Sequence, residues 1–311
     1  MDYDTAKEQF ESAREAEKSA FQRIRRRLAT NRVLRNAFDR SYGTAYTRIS
    51  SIPRVRHRLA PYLDDDTNVV FSRSGTGFSQ SAEVAMLSRL GAIRNKDVLL
   101  VGVEYGEDVN ELWMPHLPRR IIGIDIGDYE AGWRRFLDDP SNSSVPIAFL
   151  KMDAAMIGLS AQSVDLVYSQ GVLPHITDVV GHLDNASRIL REGGTYYAFC
   201  CPLWRTFGGS HVHALGYNHL RLTEAEFKAQ ATALEDGSSW WLELGLFNRL
   251  RFRELIDAVT ARFDVLRIGV IESPDGRRFR ETSPEQWRIL LEENDEEDLL
   301  IRLVSITARK R

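Results

Sequence analysis

The first thirty residues place apolar groups at Tyr3, Ala6, Phe10, Ala13, Ala20, Ile24 and Leu28, mostly three or four apart. That spacing predicts an amphipathic helix. From about residue 78 the rhythm changes: a helical stretch, SQSAEVAMLSRLGAI, closes at Gly91 and is followed by short apolar runs separated by helical or turn-rich segments. The runs at 97–103, 120–126, 147–153, 164–170 and 194–201 read as five strands, and a helix from Asp178 to Leu190 ends in Arg191-Glu192-Gly193-Gly194, a glycine stop. Residues 251–271 read as helix then strand, and 299–310 as a last strand. Strands alternating with helices imply an α/β fold, a doubly wound, mostly parallel seven-stranded sheet with helices on both faces.

Residues 1–60 are expected to form an N-terminal helical extension and 61–311 the main domain. Within it, 202–250 lacks strand rhythm and carries Trp204, Gly208, Gly209, three histidines and Trp240-Trp241, so it reads as an insertion or lid over the sheet. The acidic run 292–298 reads as an exposed loop.

In a doubly wound sheet, ligands sit beyond the carboxyl ends of the strands, near the point where strand order reverses. Four loops therefore carry the candidate chemistry. The loop after the first strand contains Gly102, Glu104, Tyr105 and Gly106, whose glycines permit a tight turn and close backbone approach. Asp125, followed by Ile126, closes the second strand 23 residues beyond Gly102, the offset at which a carboxylate can accept hydrogen bonds from ribose hydroxyls. Asp153 and Ala154 follow the third strand, where they can face an adenine amino group. Ser169 and Gln170 end the fourth strand and lead into Gly171-Val172-Leu173-Pro174-His175-Ile176. Asp165, at the entrance of that strand, reads as structural.

In the order VLLVGVEYG, GID, MDA, VDLVYSQGVLPHITD and ILREGG, residues 78–310 resemble the class I S-adenosylmethionine-dependent methyltransferases. The resemblance implies a Rossmann-like methyltransferase core and S-adenosyl-L-methionine as cofactor. It implies an enzyme that methylates a separate acceptor. Two positions depart from the family pattern: Leu100 stands where an acidic residue is common, and Glu104 where the loop's central glycine is usual. Glu104 can face the amino group of the methionine moiety or point to solvent.

Methyl transfer to a hydroxyl needs a base near the acceptor, and histidine is the natural candidate near neutral pH. His211 and His213, two apart in the glycine-bearing insertion, and His175, after the fourth strand, are the candidates; His219 reads as structural. Two histidines without a nearby carboxylate cluster do not make a convincing metal site, so no metal is expected. A looser similarity to bacterial methyltransferases of sugars, glycans and specialised metabolites implies O-methylation of a small-molecule or glycan acceptor, on which Trp204, Trp240 and Trp241 could stack. Two other readings share the core pattern: a nicotinamide-dependent oxidoreductase, although the loop lacks the full G-x-G-x-x-G, and a non-catalytic methyltransferase-fold scaffold.

Composition adds little that is selective. The chain is 43% hydrophobic and 27% charged with a net charge of −3, which implies no nucleic-acid partner. Residues 1–60, however, hold fourteen Lys/Arg against seven Asp/Glu. The helix expected there needs a partner surface, either a second copy of the chain or the rim of the site. No run approaches a membrane span and the N-terminus is charged, so a cytoplasmic location is expected. Cys200 and Cys201, adjacent in an apolar run, read as free thiols.

Overall fold

The computed structural model describes residues 80–106, 108–139, 145–234 and 247–311; the expected N-terminal helix and Trp240-Trp241 lie outside them. The described chain runs α1 (Gln80–Arg89), β1 (Asp97–Val101), α2 (Asp108–Leu112), β2 (Arg120–Asp125), α3 (Glu130–Asp138), β3 (Ile147–Lys151), β4 (Val164–Gln170), α4 (Val179–Ile189) and β5 (Leu190–Cys200). It continues through α5 (Glu224–Leu234), α6 (Phe252–Thr260), β6 (Phe263–Glu272), α7 (Pro274–Thr282), α8 (Pro284–Leu290), α9 (Glu296–Leu300) and β7 (Ile301–Lys310).

The seven strands form one sheet in the order β3-β2-β1-β4-β5-β7-β6. Pairing is parallel from β3 to β5, and β7 runs antiparallel to both β5 and β6. Strand order reverses between β1 and β4, which opens a crevice at their carboxyl ends. β1 is buried along its whole length because helices cover both faces, which is why its sequence is a continuous apolar run. Its side chains still alternate: Leu99 and Val101 join the core with Ile124, Val167 and Leu183, whereas Val98 and Leu100 join the opposite core with Leu87, Trp113 and Tyr168. Leu100, the departure from the family pattern, is therefore a core position.

Helix α1 ends where expected, with Gly91 left-handed at φ +75°. Asp178 caps α4 by accepting a hydrogen bond from the Gly181 N–H at 2.7 Å. The helix stops at Ile189, and Arg191–Gly194 belong to β5 rather than to a helical stop. Leu190 already pairs with Val164, and Gly193, at φ +69°, absorbs the register irregularity between β5 and β4.

Three helices, α7 to α9, separate β6 from β7, so the final antiparallel pair is not a tight hairpin. The acidic run is likewise not simply an exposed loop. Asp298 is buried and accepts hydrogen bonds from the Phe252 N–H at 2.7 Å and from Arg251 Nη1 at 3.0 Å, tying α9 to the first turn of α6. The described part of 202–250 is irregular apart from α5 and gathers a small core of its own around Trp204, Val212, Leu215, Phe227 and Ala231.

At the amino ends of the strands, Asp165 accepts from the Asp97 N–H and from Arg191 Nη1, both at 2.8 Å. Asp97 in turn accepts from Arg119 Nε at 2.8 Å and Arg191 Nη2 at 3.0 Å. Asp165 is thus structural, and the network pins β1, β4 and β5 at the end opposite the crevice.

Candidate functional site

A cavity of about 370 Å³ lies at the carboxyl ends of β1 to β4, within the range of small-molecule and cofactor sites. Gly102 and Glu104 from the loop after β1, Asp125 and Ile126 at the end of β2, and Asp153 and Ala154 after β3 line it. Gln170 to Val172 and His175 to Thr177, after β4, complete the wall.

Gly102 is left-handed at φ +79°, and a Cβ there would lie 2.1 Å from Val172 Cγ2. The bare backbone is what lets the β1 and β4 loops meet. Glu104 is also left-handed, at φ +44°, an uncommon conformation for a residue with a side chain. Hydrogen bonds hold it there: its N–H donates to Asp125 Oδ2 at 3.0 Å, and its carbonyl accepts from Trp133 Nε1. Asp125 Oδ1 accepts from the Gly127 N–H at 2.9 Å. An ionised carboxylate has about four acceptor sites, so Asp125 keeps capacity for a diol.

Asp153 Oδ1 accepts from the Ala155 N–H at 2.8 Å, turning the loop after β3. The carbonyl of Ala154 is held from below by His182 of α4, whose Nδ1 lies 3.0 Å from it while Nε2 lies 3.2 Å from the Tyr196 hydroxyl. A neutral ring protonated at Nδ1 satisfies both contacts, donating to the carbonyl and accepting from the phenol. Burial moves the His182 pKa down to about 4. His182 is thus a fixed, uncharged support for the β3 loop.

Tyr129, at the start of α3, also lines the cavity. Its burial and the nearby carboxylates of Asp125 and Glu104 raise its pKa, so the phenol stays a hydrogen-bond donor. Tyr105 packs edge-on to the Tyr129 ring at 4.9 Å but is not part of the lining. Gly106 spaces the loop above Phe149, whose Cζ would lie 2.7 Å from an added Cβ. Ser169 is fully buried within β4, whereas Gln170 reaches the cavity and accepts a hydrogen bond from the Tyr168 hydroxyl. Residue-type reasoning passed over Tyr129, Met152, Val172 and Thr177; only the loop positions after β2, β3 and β4 could have pointed to them.

In the wall after β4, His175 closes a single turn, Leu173–His175. His211, left-handed at φ +67°, packs its ring 5.0 Å from that of His175, and Phe247 lies 5.1 Å from both. The sheet and the insertion therefore meet at these three rings. His175 lines the cavity; His211 does not. Burial first, and then the neighbouring His175, brings the His211 pKa down to about 4. The side chain of His213 lies outside the described residues. His219 is buried, its ring nitrogens 2.8 Å from the Gly216 carbonyl and 2.6 Å from that of Trp204, which makes it part of the insertion's own scaffold.

Among the described residues no three His, Cys, Asp or Glu side chains converge as metal ligands. Neither Cys200 nor Cys201 is in a disulfide, and burial raises both thiol pKa values. The features that remain suit an adenosyl cofactor: a volume of the right size, a loop that admits close approach at Gly102, and open acceptor sites on Asp125.

Residues 99–198 match a protein-family model described as a methyltransferase domain. No curated protein sequence matches the chain. Among solved structures, a putative S-adenosylmethionine-dependent methyltransferase from Listeria monocytogenes is 16% identical, with 75% of this chain and 98% of that one covered at a TM-score of 0.46. A further such methyltransferase, from Mesorhizobium loti, is 15% identical over 74% and 98% of the two chains, with a TM-score of 0.47. A putative sarcosine dimethylglycine methyltransferase from Galdieria sulphuraria is 14% identical over 82% and 97%, with a TM-score of 0.48.

Proposed function

We propose that this chain, whose residues 99–198 match a methyltransferase domain, transfers a methyl group from S-adenosylmethionine to an oxygen of a hydroxyl-bearing small molecule or glycan, and that His175 takes the acceptor's proton. Bound in the cavity, S-adenosylmethionine supplies an electrophilic methyl group on a sulfonium. Asp125 accepts from the ribose hydroxyls, the loop of Gly102 and Glu104 lies along the methionine moiety, and Asp153 with Ala154 faces the adenine.

The observation that carries the assignment of the base is polarity along one cavity. Glu104 follows β1, Asp125 ends β2 and Asp153 follows β3, whereas the loop after β4 contributes His175 and Thr177. An imidazole there can accept a proton as a hydroxyl oxygen attacks, an assistance worth about 10²–10⁴-fold. His211, outside the cavity lining and neutral at pH 7, supports the ring packing of His175. Trp204, a candidate for stacking on the acceptor, is instead buried in the insertion's own core with Phe247 packed against it, and neither ring lines the cavity.

The test is a screen of hydroxylated acceptors followed by His175→Gln. Loss of turnover with unchanged S-adenosylmethionine affinity supports the assignment, because the base acts on the acceptor proton in the transition state. Full turnover in that variant with the genuine acceptor removes it.

A further inference from the structure

The loop that carries His175 is fastened from above by one residue of the insertion. Asn248 donates from Nδ2 to the carbonyl of Leu173 and, at 3.0 Å, to that of Ile176, while its backbone N–H donates to the Pro174 carbonyl at 3.1 Å. Its Oδ1 accepts from the Leu250 N–H at 3.0 Å. Both amide hydrogens, the amide oxygen and the main-chain donor are thus engaged, and three of these four bonds go to the carbonyls that bracket His175.

A single 3₁₀ turn has no such stability of its own. It leaves carbonyls unsatisfied and few internal bonds to hold its shape. Leu173 and Ile176 anchor the turn in the core and two backbone bonds close it, so what the external donors add is a fixed orientation for the carbonyls on either side of His175 and for the imidazole between them. The clamp also delivers Phe247, the residue before Asn248, against the His175 ring at 5.1 Å and the His211 ring at the same distance.

We infer that Asn248 is a positioning residue: by clamping the Leu173–Ile176 carbonyls it fixes the orientation of the His175 imidazole at the cavity wall. The inference rests on the reading of His175 as the base, yet its structural content can be read without an acceptor. The amide group is specifically required, because only a neutral side chain with two N–H donors and one acceptor fits these partners. An Asp of the same shape would keep the bond to Leu250 and turn the other oxygen toward two carbonyls.

The experiment uses the full chain, labelled with ¹⁵N in its histidines, and follows the His175 imidazole by NMR across pH, with the signal assigned by its absence in His175→Gln. S-adenosylhomocysteine binding by calorimetry reports whether the cofactor site is intact. In Asn248→Asp we expect the His175 ring shifts, displaced in the native protein by the Phe247 ring, to move toward those of a free histidine and its pKa to change, with S-adenosylhomocysteine affinity retained. Asn248→Ser, which removes the amide without adding charge, should do the same, and it decides the matter if the Asp variant fails to bind the nucleoside. Native His175 shifts and titration in a folded Asn248→Ser variant would overturn the inference. Once an acceptor is in hand, kcat should fall by about 10²-fold in these variants with little change in cofactor KM, the scale expected when a reacting group is misplaced by roughly 1 Å. The two readings fail separately: a His175→Gln enzyme with full turnover removes the base, whereas unmoved His175 signals remove the clamp.

Discussion

Asp125 Oδ2 accepts the backbone N–H of Glu104 at 3.0 Å, so the residue that closes the second strand also fixes the loop that follows the first. Its other oxygen holds Gly127. One carboxylate thereby sets the shape of two cavity walls.

Asp125→Ala should weaken S-adenosylmethionine binding by more than the direct contact alone, because hydrogen bonds to a charged group, each worth about 1.5–3 kcal/mol, are lost both to the ligand and to the Glu104 loop. Calorimetry with S-adenosylhomocysteine is the check, and unchanged affinity in a folded variant would exclude this site. Asp125→Asn should fall between, since it keeps one oxygen for the loop.

Gly102→Ala should disrupt the cavity for two separable reasons. The left-handed conformation costs a residue with Cβ about 1–2 kcal/mol. The steric clash with Val172 adds to it. In the double variant Gly102→Ala/Val172→Ala the clash is relieved and the backbone cost remains, so nucleotide affinity and thermal stability should recover only in part. Complete recovery would show that conformation contributes nothing at this position.

His182 should make the fold less stable in mild acid. Its folded pKa of about 4 lies below the ordinary histidine value of 6.5, so below 6.5 the unfolded chain binds a proton that the folded chain refuses. Stability from this group is complete above about pH 6.5, is lost as pH falls toward 4, and the full difference is about 3 kcal/mol. His211, with its pKa likewise down to about 4, acts in the same direction. Urea titrations at pH 7.5 and pH 5 should show the loss, and His182→Phe should reduce it. An equally steep loss in that variant would assign the effect elsewhere.

Asp97 has the opposite character. Hydrogen bonds from Arg119 first, then Arg191 and the charge of Arg120, hold its pKa at about 2 against burial, so its contribution is present above about pH 3.8 and disappears as pH falls toward 2. Asp97→Asn should cost about 2 kcal/mol near neutral pH, by the size of that shift. Cofactor affinity should not change, because the network lies at the amino ends of the strands. A large effect on binding with little on unfolding would contradict this division of roles.

The sequence by itself determined the sheet. Strands with both faces buried, such as Val98–Val101 and Ile121–Ile124, must be continuous apolar runs, and the loops that follow them must supply the polar groups, so Gly102, Asp125 and Asp153 could be marked from strand position, whereas His175 is marked by the family resemblance, beside the two histidines of the insertion. Local chemistry also marked Gly91 as a helix end and Asp165 as structural. What no window of sequence holds is which distant segments meet. Gly193 serves a strand irregularity because Leu190 pairs with Val164; Asp298 leaves its acidic run for the interior because Arg251 and the Phe252 N–H, more than forty residues away, wait there. Ser169 faces the core and Gln170 the cavity because successive strand residues point to opposite sides of a sheet whose cover is tertiary. Asn248 is one polar residue among many in an irregular insertion until the fold lays it across the carbonyls around His175. Periodicity records whether a residue is buried; the partners that decide what a buried or clamped group does are set only when the chain closes on itself.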